Sequence, residues 1–139
     1  MLVEYINTGD SLKESGVTTN INQRVKYTSN TQSTACTATG TIYTLITGAS
    51  NGSLIKTITV KATGNTTKGK IFIYSDVGGG NYTLVDEIAI DAVVKSSICP
   101  AFEVSYEVNY YVQPSATLIA WLGNAESFMI TVEALDASY

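Results

Sequence analysis

The residues able to do chemistry in this chain are few, and their spacing works against them. No histidine occurs among the 139 residues, which removes the usual general base and the commonest metal ligand together. Asp86 and Glu87 are adjacent, and adjacent side chains on an extended strand point to opposite faces, so they do not make a paired acid and base in one cleft. Asp76 precedes Gly78-Gly79-Gly80-Asn81. Its oxygens are of the kind calcium takes, but the spacing matches no calcium loop and a plain glycine-rich hairpin is expected. The same glycines lack the following Lys and Ser or Thr of a phosphate cradle and open no helix. Cys36 and Cys99 stand far apart in no C-x-x-C arrangement and read as free thiols, at least one of them buried as a small hydrophobe. No catalytic, cofactor-binding or metal-binding residue is expected.

One constellation remains. Tyr106, Tyr110, Tyr111 and Trp121 form a candidate aromatic platform, for a glycan or for a neighbouring subunit. Packing in the core or at a subunit interface is the favoured role, because tyrosine and tryptophan each offer a large apolar area with one polar handle.

The elements that would position these residues are strands. Ile58, Val60 and Ala62 alternate with Thr57, Thr59 and Lys61, the period of two of a half-buried strand. After a turn at Gly64-Asn65-Thr66-Thr67-Lys68-Gly69, Ile71 and Ile73 oppose Lys70, Phe72 and Tyr74. After the glycine-rich turn, Tyr82, Leu84, Ile88 and Ile90 oppose Thr83, Val85 and Glu87. Phe102, Val104, Tyr106, Val108 and Tyr110 alternate with Glu103, Ser105, Glu107 and Asn109 in the cleanest period of the chain. Residues 41–47, 117–122 and 128–134 complete the regular set. No stretch keeps apolar residues at helical spacing for three turns, and no internal repeat appears. The fold class expected is all-β: an antiparallel β-sandwich of about eight strands, jelly-roll-like.

Residues 1–40 differ from the rest. After an apolar start come Thr8-Gly9-Asp10-Ser11 and Ser15-Gly16, the tract from Thr28 to Thr39 is dominated by Thr, Ser, Asn and Ala, and only Val17-Thr18-Thr19-Asn20-Ile21 and Arg24-Val25-Lys26-Tyr27 look strand-like. The expected division is an N-terminal arm at 1–40 with one or two strands, poorly packed on its own and ordered against a neighbour, and a sandwich at 41–139. Burial is expected at Ile58, Val60, Phe102, Val104, Val108, Phe128 and Ile130.

Composition narrows the partners. Hydrophobic residues make up 45% of the chain but charged ones only 14%, against about 25% in typical domains; surface covered by something other than solvent accounts for the deficit. The net charge of −4 comes with no run of Lys or Arg, so no nucleic-acid partner is expected. Met1-Leu2-Val3-Glu4-Tyr5-Ile6 lacks the basic start and long apolar core of a secretion signal. No apolar run is long enough to span a membrane, and no membrane partner is expected.

Tyr43-Thr44-Leu45-Ile46-Thr47-Gly48-Ala49 is followed by Asn51-Gly52-Ser53-Leu54-Ile55, then by Ile58-Thr59-Val60-Lys61-Ala62-Thr63-Gly64-Asn65-Thr66-Thr67 and Ile71-Phe72-Ile73-Tyr74. This order of turn and strand signals resembles that of small structural proteins of tailed bacteriophages. Near the other end, Gly123-Asn124-Ala125-Glu126-Ser127-Phe128 is similar to the family's turn between the last two strands. The likeness spans about residues 40–135 and is best at 48–74. It implies a non-enzymatic virion protein that is part of the capsid, and the missing secretion signal puts its folding in the host cytoplasm. That role is an auxiliary or decorating subunit whose partners are other virion proteins, the major capsid protein first, and which forms a homo-oligomer with a trimer favoured. The alternative it leaves is a receptor- or glycan-binding module of a tail or head fibre.

Overall fold

The computed structural model describes residues 25–139 in full and, before them, the backbone of two short strands, β1 (Ser11–Glu14) and β2 (Val17–Asn20), which pair antiparallel. The strand expected from Val17 is thus met over Val17–Asn20, while Ile21 and Arg24 lie outside the described residues. Eight further strands follow: β3 (Lys26–Cys36), β4 (Tyr43–Thr47), β5 (Ser53–Ala62), β6 (Gly69–Asp76), β7 (Tyr82–Ile90), β8 (Glu103–Val112), β9 (Thr117–Leu122) and β10 (Phe128–Ser138). They form two four-stranded antiparallel sheets, ordered β3-β10-β5-β8 and β4-β9-β6-β7. Among these eight strands, every connection except the β6–β7 hairpin crosses from one sheet to the other. That interleaving is the jelly roll, one of the ways an antiparallel domain limits its open edges.

Alternation drives the two sheets together. Ile55, Ile58 and Val60 of β5, Ile71 and Ile73 of β6, Leu118 and Leu122 of β9, and Ile130 and Val132 of β10 are all at most 1% exposed and meet in one interior cluster. Lys56 is an extra residue opposite the Glu133/Ala134 step of β10, so Ile55 and Ile58, three apart, both point inward. Of the positions expected in the core, Ile58, Val60, Phe102, Val108, Phe128 and Ile130 are buried, and Val104 is half-buried against the cluster. Cys36 is buried, Cys99 is exposed, and both are free thiols.

Two readings of the sequence need correction. The first is the division at residue 40. Residues 26–36 are not an arm but the eleven-residue strand β3, paired with β10 from Lys26↔Ser138 to Cys36↔Phe128. Its polarity hid it: β3 is an edge strand whose side chains are nearly all exposed, so it needs β-forming residues such as threonine but not apolar ones. Its inward residues stand at the open mouth between the sheets. There Gln32 Nε2 donates to Asn30 Oδ1 (2.7 Å), Asn30 Nδ2 to Asp136 Oδ2 (3.1 Å), and the fully buried Ser53 Oγ to Asp136 Oδ1 (2.7 Å).

The second correction concerns β7. A single period would put Tyr82 and Leu84 on the core side with Ile88 and Ile90. The register shifts opposite Ile73/Tyr74, so Ile73 faces Asp86 and Tyr74 faces Leu84, with Val85 the extra residue. Ile88 and Ile90 stay buried while Leu84 and Tyr82 are turned out, 46% and 44% exposed. A β-bulge re-aims side chains in this way.

Candidate functional site

The four candidate platform residues do not converge. Tyr106 and Tyr110 share the inward parity of Val108 and lie half-buried at the β7–β8 side of the sandwich. Tyr110 Oη donates to the Val85 carbonyl at 3.0 Å. Tyr106 Oη is enclosed without a hydrogen-bond partner. Burial pushes both phenols above their ordinary range, and the nearby Asp86 carboxylate adds to it. Tyr111 points the other way, onto the outer face of the β3-β10-β5-β8 sheet, where its hydroxyl donates to the Asn51 carbonyl at 3.4 Å. A Cβ at Gly52, whose φ is +89°, would run into the Tyr111 ring. Trp121 lies on the opposite sheet. Asp86 and Glu87 face opposite sides of β7, as the sequence predicts: Asp86 goes in toward the tyrosines, and Glu87 goes out to a 2.7 Å ion pair with Lys70.

Trp121 nevertheless belongs to a patch. In register, Trp121 stands beside Phe72, and Ile119 beside Tyr74, which in turn stands beside Leu84; the next row pairs Asp76 with Tyr82. All of these project from the outer face of the β4-β9-β6-β7 sheet. Tyr74 and Tyr82 meet edge to face with ring centres 6.2 Å apart, and Ile119 is 2% exposed although it lies outside the interior cluster. The solvent face of an antiparallel sheet is ordinarily the polar one. Here Phe72, Tyr74, Leu84, Tyr82 and Trp121 form a contiguous aromatic and aliphatic surface. Phe72 and Tyr74 already oppose Ile71 and Ile73 in the sequence, which marks them as outward; Leu84 and Tyr82 join them only through the bulge.

A second aromatic feature lies at one end of the other sheet's outer face. Tyr27, Tyr111 and Tyr139, with Val25, Leu54, Ala137 and Asn51, line an open cleft of about 270 Å³. The three tyrosines are 54%, 59% and 68% exposed. Of these only Tyr111 stands out in the sequence, since Tyr27 and Tyr139 are more than a hundred residues apart and only the β3–β10 pairing brings their strands together.

No protein-family model matches the chain, and no curated protein does. Among solved structures, one from a study of disulfide-linked pili that form Bacillus endospore appendages is 19% identical, covering 81% of this chain and 90% of the other at a TM-score of 0.41. A chain of the T13 particle of IBDV is 12% identical, with 93% of this chain against 36% of that one and a TM-score of 0.45. A chain of the Gx strain of infectious bursal disease virus is 13% identical, with 92% against 38% and a TM-score of 0.40. This chain thus spans little more than a third of either virus chain. The likeness is loose and assigns no role.

The β5–β6 turn and the β9–β10 turn touch each other. Asn124 Nδ2, in the β9–β10 turn, donates to the Lys68 carbonyl (3.0 Å) and to Thr67 Oγ1 (3.1 Å) in the β5–β6 turn. Glu126 Oε2 accepts from Thr67 N (2.8 Å) and Thr67 Oγ1 (2.7 Å). A Cβ at Gly69 would collide with the Asn124 amide, and one at Gly123 would stand 2.7 Å from the Lys70 carbonyl oxygen. These contacts clamp the two turns together. Among the described residues, no three His, Cys, Asp or Glu side chains gather as a metal site would need.

Proposed function

We propose that the chain is a non-enzymatic structural subunit of a bacteriophage virion, an auxiliary or decorating subunit that docks onto capsid proteins and stabilises them. The observation that carries this reading is the apolar outer face of the β4-β9-β6-β7 sheet, built from Trp121, Phe72, Tyr74, Leu84 and Tyr82. A contiguous apolar surface of this kind marks an interaction site. Covering each of these half-exposed side chains would contribute about 1–2 kcal/mol before the entropic costs of association. The jelly roll supports the reading, since viral capsid domains use that architecture, and so does the resemblance of residues 48–74. The decisive variants are Phe72→Ser and Trp121→Ser, added back to particles lacking the protein. Both are expected to keep the cooperative unfolding of the parent and to lose most particle occupancy; undiminished occupancy would contradict the reading.

A second reading is favoured by the tyrosine cleft. Lectin domains also use jelly rolls, and Tyr27, Tyr111 and Tyr139 present open aromatic faces beside the polar Asn51. A receptor- or glycan-binding module would bind sugars there. Binding to a glycan array that disappears in Tyr111→Ala while particle occupancy persists would favour it over the first.

A further inference from the structure

The four edge strands of the sandwich are not alike. β4 has only five residues and a register shift between Thr44 and Ile46. β7 carries the bulge at Val85, and Asp86 and Glu87 beside it. β8 has a register shift opposite Ile55/Thr57 and turns Glu103 and Glu107 outward. Bulges, shortness and edge charges are the devices by which proteins keep sheet edges from pairing with other chains. β3 has none of them. It runs eleven residues against β10 without a shift, and it contains no proline and no charged side chain after Lys26.

We propose that β3 pairs with β3 of a second copy of this chain, antiparallel across a twofold axis, joining two four-stranded sheets into one of eight strands. The occupant follows from the edges themselves. β8 of a neighbour would bring two glutamates and a bulge, whereas a second β3 is unbulged and uncharged over the same length. For the two interiors to lie on the same side of the joined sheet, odd-numbered residues must face odd-numbered ones. Full overlap of the strand then places Thr31 opposite Thr31 of the second copy, and Ser29 opposite its Ser33. Every outward cross-strand neighbour in that register is a small hydroxyl or alanine apart from Tyr27, so no like charges meet. Antiparallel pairing over this length would form about ten main-chain hydrogen bonds. An isologous contact of this kind closes at two copies, where capsid symmetry alone suggests three. The proposal is independent of the docking face assigned above, which lies on the other sheet.

The test uses the full-length chain with Ser29→Lys/Ser33→Lys and, separately, Ser29→Glu/Ser33→Glu. Both serines are exposed; Ser33 bonds only the exposed Thr131 hydroxyl (2.9 Å), so the variants should fold, as thermal unfolding would verify. Sedimentation at about 50 µM is expected to give a dimer for the parent and a monomer for each variant, because each dimer would hold two Lys–Lys or two Glu–Glu pairs. Mixing the two variants is expected to restore the dimer, since each introduced lysine of one copy then faces an introduced glutamate of the other. A monomeric parent, a dimer that survives the lysines, or a mixture that stays monomeric would each overturn the proposal. A monomeric parent that still decorates particles would do so while leaving the proposed function standing.

Discussion

Asn124→Asp should destabilise the fold more than Asn124→Ala, although it changes the side chain less. The Asn124 amide donates two good hydrogen bonds, at 3.0 and 3.1 Å, and a weak third to the Thr67 carbonyl at 3.5 Å. Each is worth about 0.5–1.5 kcal/mol net. The site is only half-buried, so water rehydrates the freed acceptors and alanine should cost about 1–2 kcal/mol. Aspartate instead points a carboxylate at the Lys68 and Thr67 carbonyls, beside Glu126. It replaces two attractions by oxygen–oxygen repulsion and should cost about 1 kcal/mol more than alanine. Urea unfolding followed by tryptophan fluorescence gives the difference from the midpoint shift at unchanged m-value. An aspartate variant as stable as the parent, or equal to the alanine variant, would show that the amide does not clamp the two turns.

Three further outcomes follow from the interior and the N-terminal region. Phe128→Ala, at a ring 2% exposed, should cost about 3–5 kcal/mol by calorimetry or urea melt; under about 1 kcal/mol would mean the strand does not face the core. Burial raises the Cys36 thiol from 9.0 to about 11. The folded state therefore holds that proton more tightly, and the contribution is full below pH 9 and lost as pH rises toward 11. On the order of 2–3 kcal/mol of stability should disappear across that window in the parent and not in Cys36→Ala, with equal slopes refuting it. Deleting residues 1–24 should leave the eight-strand sandwich folded, whereas deletion through residue 39 removes β3 and should not; circular dichroism and a cooperative melt decide.

Much of the fold is legible in the sequence because strands with one buried face announce themselves. From Phe102 through β8 to Tyr110 the residues alternate without a break, and the inward and outward sets are those found. What stays hidden has two physical causes. β3 is an edge strand with almost no side chain in the interior, so its Thr, Ser, Asn and Gln residues carry no apolar period, and only pairing with the distant β10 defines it. The bulge at Val85 reverses parity within one strand, which no local period can signal, and so the alternation assigns Leu84 and Tyr82 to the wrong face. The apolar outer face proposed for docking suffers from both limits of a linear reading. Trp121 stands out by type, but Phe72, Tyr74 and Leu84 become its neighbours only when β6 is laid between β9 and β7. Tyr106 and Tyr110, which share its aromatic character, sit inside the sandwich.

Electron microscopy of purified particles tests the proposed role most directly. A reconstruction is expected to place the jelly roll on the capsid with the outer face of the β4-β9-β6-β7 sheet, Phe72 and Trp121 at its centre, turned toward the capsid protein. Finding the chain on a tail or head fibre, or on the capsid with that face open to solvent, would contradict it.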